Sequence, residues 1–132
     1  VKNLEALKLA CQRLGLEFRE GQTHYAWFGY FAGDAPLPEG FTQEDLGKCQ
    51  HAIHVPGASY EIGLVFRDGA WRLLWDSWSS GGLEKALGAD CNRLRQAYGV
   101  EATKLEAQRQ GYSCWEETQE DGAVNLHVML PA

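Results

Sequence analysis

Residues 60–78 constrain the fold more than any other part of the chain. Two runs of alternating side chains, 60–66 and 71–78, flank Asp68-Gly69. That pair suits a two-residue type I′ turn, which needs positive φ at both central positions. The turn sets a register in which Phe66 faces Trp71, Leu64 faces Leu73, Ile62 faces Trp75 and Tyr60 faces Ser77. One hairpin face is then almost wholly apolar and belongs to a core. The opposite face brings Glu61 directly across from Asp76. Like charges in that position are destabilising. Solvation, a neighbouring cation such as Arg19 or Arg72, or a functional need for a shared proton or bound cationic group would each accommodate the pair.

A second hairpin follows the same design, with residues 112–119 and 124–130 joined through Asp121-Gly122. The same counting sets Trp115 against Val128, Glu117 against Leu126 and His127 against Glu116, with Val124, Leu126, Val128 and Leu130 marking a buried face. Between the hairpins, a helical stretch over Leu83–Leu87 breaks at Gly88 and resumes near Asp90, with Leu94, Ala97, Tyr98, Ala102 and Leu105 on one face. Near the start, Leu4, Leu7, Cys11 and Leu14 recur at helical spacing, with Asn3 as N-cap and Gly15 as the stop. Short strands follow at 16–20 and 50–55.

This order predicts an α+β fold: an antiparallel sheet built from two β-hairpins plus shorter strands, with two helices packed on one face. A ferredoxin-like sandwich fits the pattern if one more strand precedes Asn3, and the absence of an initial methionine leaves room for a missing piece. The chain of 132 residues predicts a single domain spanning 1–132, since one core of this size is what such a length supports. No apolar run reaches the roughly 18 residues of a membrane helix. A net charge of −6 with dispersed Lys and Arg argues against a nucleic-acid partner. Cys11, Cys49, Cys91 and Cys114 are widely spaced and read as reduced thiols of a cytoplasmic protein. No segment reads as a secretory signal.

Residues 22–48 form an aromatic-rich insertion carrying His24, Tyr25, Trp27, Phe28, Tyr30 and Phe31. Its rings either fill one side of the core or build a partner surface; Trp27, Phe28, Tyr30 and Trp78 are the candidates for partner binding. Cys49, His51 and His54 are zinc-type ligands, but strand geometry points His54 away from the other two and no second pair completes four ligands. No metal and no cofactor are expected. Cys49 with His51 also has the composition of an activated thiol, although free cysteine is most often a small buried hydrophobe. Glu61, Asp76 and His54 are the candidate ligand-binding set.

Several stretches taken in order, Leu4-Glu5-Ala6-Leu7, Val55-Pro56-Gly57, Tyr60-Glu61-Ile62-Gly63, Asp76 with Trp78, Tyr98 with Glu101, and Gln110-Gly111-Tyr112 leading to Asp121-Gly122, give the chain a family likeness. It resembles the domain-of-unknown-function family 1257, which includes the chloroplast reading-frame-thirty-five proteins. Gly47-Lys48-Cys49-Gln50-His51-Ala52-Ile53 and the insertion before it look more like the phage-encoded branch. The resemblance implies no catalytic residues; it implies a protein partner, an AAA-type ATPase or a host protein. The expected function is therefore a non-enzymatic protein-binding or adaptor module. The rival is a small-ligand-binding protein or enzyme using the carboxylate pair on the central hairpin.

Overall fold

The computed structural model describes residues 1–29, 37, 40–77 and 79–130. Helix α1 (Leu4–Leu14) begins where the Asn3 side chain accepts a hydrogen bond from the Ala6 amide at 3.1 Å. It ends where the Leu16 amide reaches back to the Cys11 carbonyl at 2.8 Å. Its buried side chains, Ala6, Leu7, Ala10 and Cys11, form one face, as the helical spacing predicts.

Strands β1 (Glu17–Glu20), β2 (His51–His54), β3 (Glu61–Arg67) and β4 (Ala70–Leu74) make a four-stranded antiparallel sheet in the order β1-β2-β3-β4. This plain meander lacks the interleaved strand order of a ferredoxin-like sandwich. Phe66 pairs with Trp71 and Leu64 with Leu73, as the type I′ count requires. Asp68 and Gly69 both take positive φ, 54° and 79°. Beyond Gly63 and Leu74 the ladder stops, so Ile62–Trp75, Glu61–Asp76 and Tyr60–Ser77 are not strand pairs.

Ile53, Ile62 and Leu64 on one sheet face pack with Leu7 and Cys11 of α1 and with the two helices that follow β4. Those helices are α2 (Leu83–Leu87), which contributes Leu83 and Leu87, and α3 (Asn92–Arg109), which contributes Leu94 and Ala97. The corner between them lies at Gly88, Asp90 and Cys91, all with positive φ, which is where the helical pattern breaks in the sequence.

The other sheet face is covered too. Tyr25 and Phe41 from the 22–48 segment are buried against Ala52 and Leu74, with Trp27, Cys49 and Val65 packed beside them. The Tyr25 ring lies so close over Gly63 that a Cβ there would collide with it. A strand covered on both faces should be apolar along its length. In β3, residues 61–64 are all buried, and Glu61 is the exception in kind.

Among the described residues, strands β5 (Ser113–Thr118) and β6 (Val124–Met129) pair only with each other. Cys114 faces Val128, Trp115 faces His127 and Glu116 faces Leu126, one residue out of step with the sequence count. The loop is the cause. Asp121 does not take positive φ; Gly122 alone does, at 88°. The Gly122 amide donates to the Gln119 carbonyl at 3.0 Å and the Gln119 amide to the Ala123 carbonyl at 2.7 Å. This is the geometry of a type I turn closed by a left-handed glycine, a three-residue loop instead of a two-residue one.

Candidate functional site

Glu61 stands in β3 beside His54 of β2, which in turn stands beside Glu17 of β1. Alternation puts all three, with Arg19, on the face covered by the insertion. Glu61 is only 8% exposed, and a buried carboxylate needs partners. It has them. Oε1 accepts from the Ala26 amide at 2.9 Å and from Gln22 Nε2 at 3.0 Å. Oε2 accepts from Arg19 at 3.1 Å, and His54 Nδ1 lies 4.0 Å from the same oxygen. The Glu61 amide also donates to the Ala26 carbonyl at 2.9 Å, so strand and insertion are tied together by both backbone and side chain.

Asp76 has a related role. Its Oδ2 accepts from the Phe28 amide at 3.2 Å. Of the candidate ligand-binding set, the structure thus brings Glu61 and His54 together, while each of the two carboxylates holds a different residue of the segment Ala26 to Phe28. Of the three ways of tolerating the carboxylates, the neighbouring cation is the one seen for Glu61, supplied by Arg19. The arrangement anchors a loop onto a sheet, and both Glu61 oxygens already accept hydrogen bonds.

Cys49 and His51 are likewise engaged separately. Cys49 Sγ contacts the Gln22 carbonyl at 3.2 Å, and burial pushes its thiol up to about 11, the wrong direction for a nucleophile. His51 Nδ1 accepts from the Gly21 amide at 2.9 Å, and its ring lies between Phe18 and Trp71. Burial also raises the thiols of Cys11 and Cys91, to about 12 and about 11. All four cysteines are free. Among the described residues no group of three or more His, Cys, Asp or Glu could hold a metal ion, and no helix is long and apolar enough to cross a membrane.

The aromatic candidates divide. Trp27 is half-buried in the second core and covers Gly47, leaving no room for a Cβ there. Phe28 is 48% exposed. Tyr30 and Trp78 lie outside the described residues. The insertion therefore fills the sheet's second face with Tyr25, Trp27 and Phe41, and among its described aromatics Phe28 is the large apolar ring left largely in solvent.

A different surface emerges at the C-terminal hairpin. Trp115 is 50% exposed, Val128 43%, Met129 59% and Leu130 72%. This corrects the expectation that Val128 and Leu130 are buried. Trp115 stacks on His127, its direct cross-strand neighbour, with centroids 3.8 Å apart and planes 11° from parallel. His127 therefore does not pair with Glu116; its Nε2 lies 3.4 Å from Glu117 Oε2, in poor alignment for a hydrogen bond. Beside the hairpin, an open groove of about 390 Å³ is lined by Ala102 and Ala107 of α3 together with Tyr112 and Val128.

The hairpin is fastened by charge. Arg13 of α1 bonds both Glu116 oxygens and lies 3.0 Å from Glu101. Lys104 lies 2.9 Å from Glu116 and 3.9 Å from Glu101. Hydrogen bonds from Arg13 and then Lys104 hold the Glu116 carboxyl down at about 2. Glu101 is buried in α3, and helical periodicity alone gives no sign of it because its hydrogen-bond partner Arg13 comes from α1. The exposed Trp115 escaped sequence reasoning because Asp121-Gly122 fits two loop lengths, and the shorter one sets Trp115 on the face of Leu126 and Val128. Compared with models of known protein families, with curated proteins and with solved structures, the chain shows no match.

Proposed function

We propose that the protein is a non-enzymatic, cytoplasmic protein-binding module whose binding surface is the C-terminal hairpin. One observation carries this reading: Trp115 and Met129, 50% and 59% exposed, share one face of a two-stranded sheet, while Val128, 43% exposed, stands on its other face. Exposed apolar residues gathered in one place mark interaction sites more reliably than scattered ones. Both edges of this sheet lack a strand partner among the described residues, so the partner it suits is a polypeptide that adds an extended strand and covers the apolar residues beside it. The binding of both Glu61 oxygens by protein donors favours this over catalysis by the carboxylates. The four free thiols favour a reducing compartment. An AAA-type ATPase or a host protein remains the partner class that the family resemblance implies.

The test uses the whole protein as bait in bacterial lysate, with each recovered protein purified and rebound alone. The expected result is a polypeptide, an AAA-type ATPase among the candidates, whose affinity falls at least tenfold for Trp115→Ala with Met129→Lys and is unchanged for Trp27→Ala. Loss of binding on Phe28→Ala but not on the hairpin substitutions would move the surface to the insertion. Failure of every purified protein to rebind would overturn the reading.

A further inference from the structure

Register and alternation divide the C-terminal hairpin into two faces. Cys114, Glu116, Leu126 and Val128 share the face turned to the helices, where Arg13 and Lys104 hold Glu116 and Val128 lines the groove beside α3. Trp115, Glu117, Asn125, His127 and Met129 share the other. There His127 covers one side of the Trp115 ring, stacked at 3.8 Å and 11° from parallel. His127 is the direct neighbour on β6, so the second side of the ring looks away from β6 and over the edge of β5. A ring covered on one side and still 50% exposed presents that second side to solvent. Glu117 stands two residues further along the same strand, roughly 7 Å away at strand spacing, with its side chain 53% exposed.

We propose that the β5 edge receives a basic, extended segment of the protein partner, with an arginine seated on the free side of Trp115 and paired with Glu117. This rests on the reading of the hairpin as the binding surface and names the chemistry of its occupant. Charge complementarity selects that chemistry. Residues 110–132 contain Glu116, Glu117, Glu120 and Asp121 and no Lys or Arg. Arg13 and Lys104 neutralise Glu116. Among the described residues Glu117, Glu120 and Asp121 have no Lys or Arg partner; Glu117 meets Gln119 and His127. An uncharged strand would leave that charge unanswered, and a second copy of a chain carrying −6 would add to it. A cation answers it twice at one place, because the indole face attracts it through the ring quadrupole and the carboxylate attracts it directly. Arginine suits the place better than lysine: its planar guanidinium lies flat on the indole while its fork reaches the carboxylate. On the other side of Trp115 along β5, the small Ser113 stands opposite Met129, which is 59% exposed. An apolar side chain two places from the arginine reaches over the serine to that methionine.

Two short capped peptides, titrated into the whole protein, test the contact. Both alternate threonine and valine; one carries a central arginine and the other citrulline, which keeps the shape and lacks the charge. The readout is the indole N–H resonance of Trp115, assigned by its loss in Trp115→Phe. The arginine peptide is expected to shift that resonance to saturation and to bind at least tenfold more tightly than the citrulline peptide at low ionic strength. Glu117 and Glu44 are both exposed, so neither glutamine variant is expected to change the circular dichroism spectrum. Glu117→Gln should weaken the arginine peptide at least fivefold, and Glu44→Gln, which removes the same charge from the insertion, should leave it unchanged. An unshifted Trp115 resonance, equal affinity for the two peptides, or equal loss in the two glutamine variants would overturn the inference. So would self-association through Trp115 with no response to the arginine peptide, which would give the face to a second copy. A purified partner that rebinds through Trp115 and Met129 without loss in Glu117→Gln would overturn the arginine contact alone; a protein that binds neither peptide and rebinds nothing would overturn the binding reading with it.

Discussion

The two hairpins share an Asp-Gly dipeptide and little else. β3–β4 lies inside a four-stranded sheet with a helical layer on one face and the insertion on the other. β5–β6 stands outside that sheet, bound to the helices through Arg13, Lys104 and Glu116, with an open groove beside it. At Asp68-Gly69 both residues turn left-handed; at Asp121-Gly122 only the glycine does. The difference shows that this dipeptide permits a tight turn without imposing one. In β3–β4 the I′ register also places Ile62 and Leu64 in the core, so turn and burial agree. In β5–β6 no described residue is fully buried to enforce one register, and the loop adopts the longer form.

The contrast is broken most directly at the core. Ile62→Ala should lower the stability of the whole fold by about 3 kcal/mol in urea unfolding, because Ile62 is fully buried. Leu126→Ala, half-buried in β6, should cost under about 1 kcal/mol. Equal losses would mean that the C-terminal hairpin is as integral as the central one. Next in size is Gly63→Ala, expected to cost about 2 kcal/mol because the Tyr25 ring must move from its place on the strand. Preserved stability there would show that the insertion rests on the sheet only loosely.

Acid probes the other hairpin. Glu116 is held at about 2 when docked, against about 4.3 for an unconstrained glutamate. A depressed carboxylate stabilises the fold fully above the unfolded value, and that contribution is lost as pH falls through about 2. The stability difference between wild type and Glu116→Gln should therefore shrink between pH 5 and pH 2. Its size at pH 7 should be about 1 kcal/mol after solvent screening. A difference independent of pH would remove the charged fastening. The smallest effect checks the register itself. Cys114 faces Val128, so Val128→Cys should form an intramolecular disulfide with Cys114 under mild oxidation, read as the loss of two thiols. Met129→Cys should form it only if the two-residue count held.

The parts of the fold legible in the sequence are those where a local signal and burial agree. Asn3 and Gly15 bound α1, Gly88 breaks the α2–α3 stretch, and Asp68-Gly69 sets β3 against β4. The site was legible only in part. The sequence drew notice to Glu61 and to Arg19 as a neighbouring cation, but not to Gln22 and Ala26, which approach from an irregular segment with no periodicity to place it. Glu101 and Glu116 escaped for a similar reason: their partner Arg13 is about ninety residues or more away in the chain, a separation that no window of sequence spans.

Arg13 carries a consequence of its own. One guanidinium serves Glu101 within the helix pair and Glu116 on the hairpin at the same time, so the two regions are thermodynamically linked. A ligand that stabilises the docked hairpin must, by reciprocity, stabilise the α1–α3 contact by the same coupling free energy. Occupancy at the hairpin should then be readable at a distance, as slower amide exchange in α1. Arg13→Lys would sever that signal while leaving a positive charge in place, because an ammonium lacks the fork that reaches both carboxylates at once.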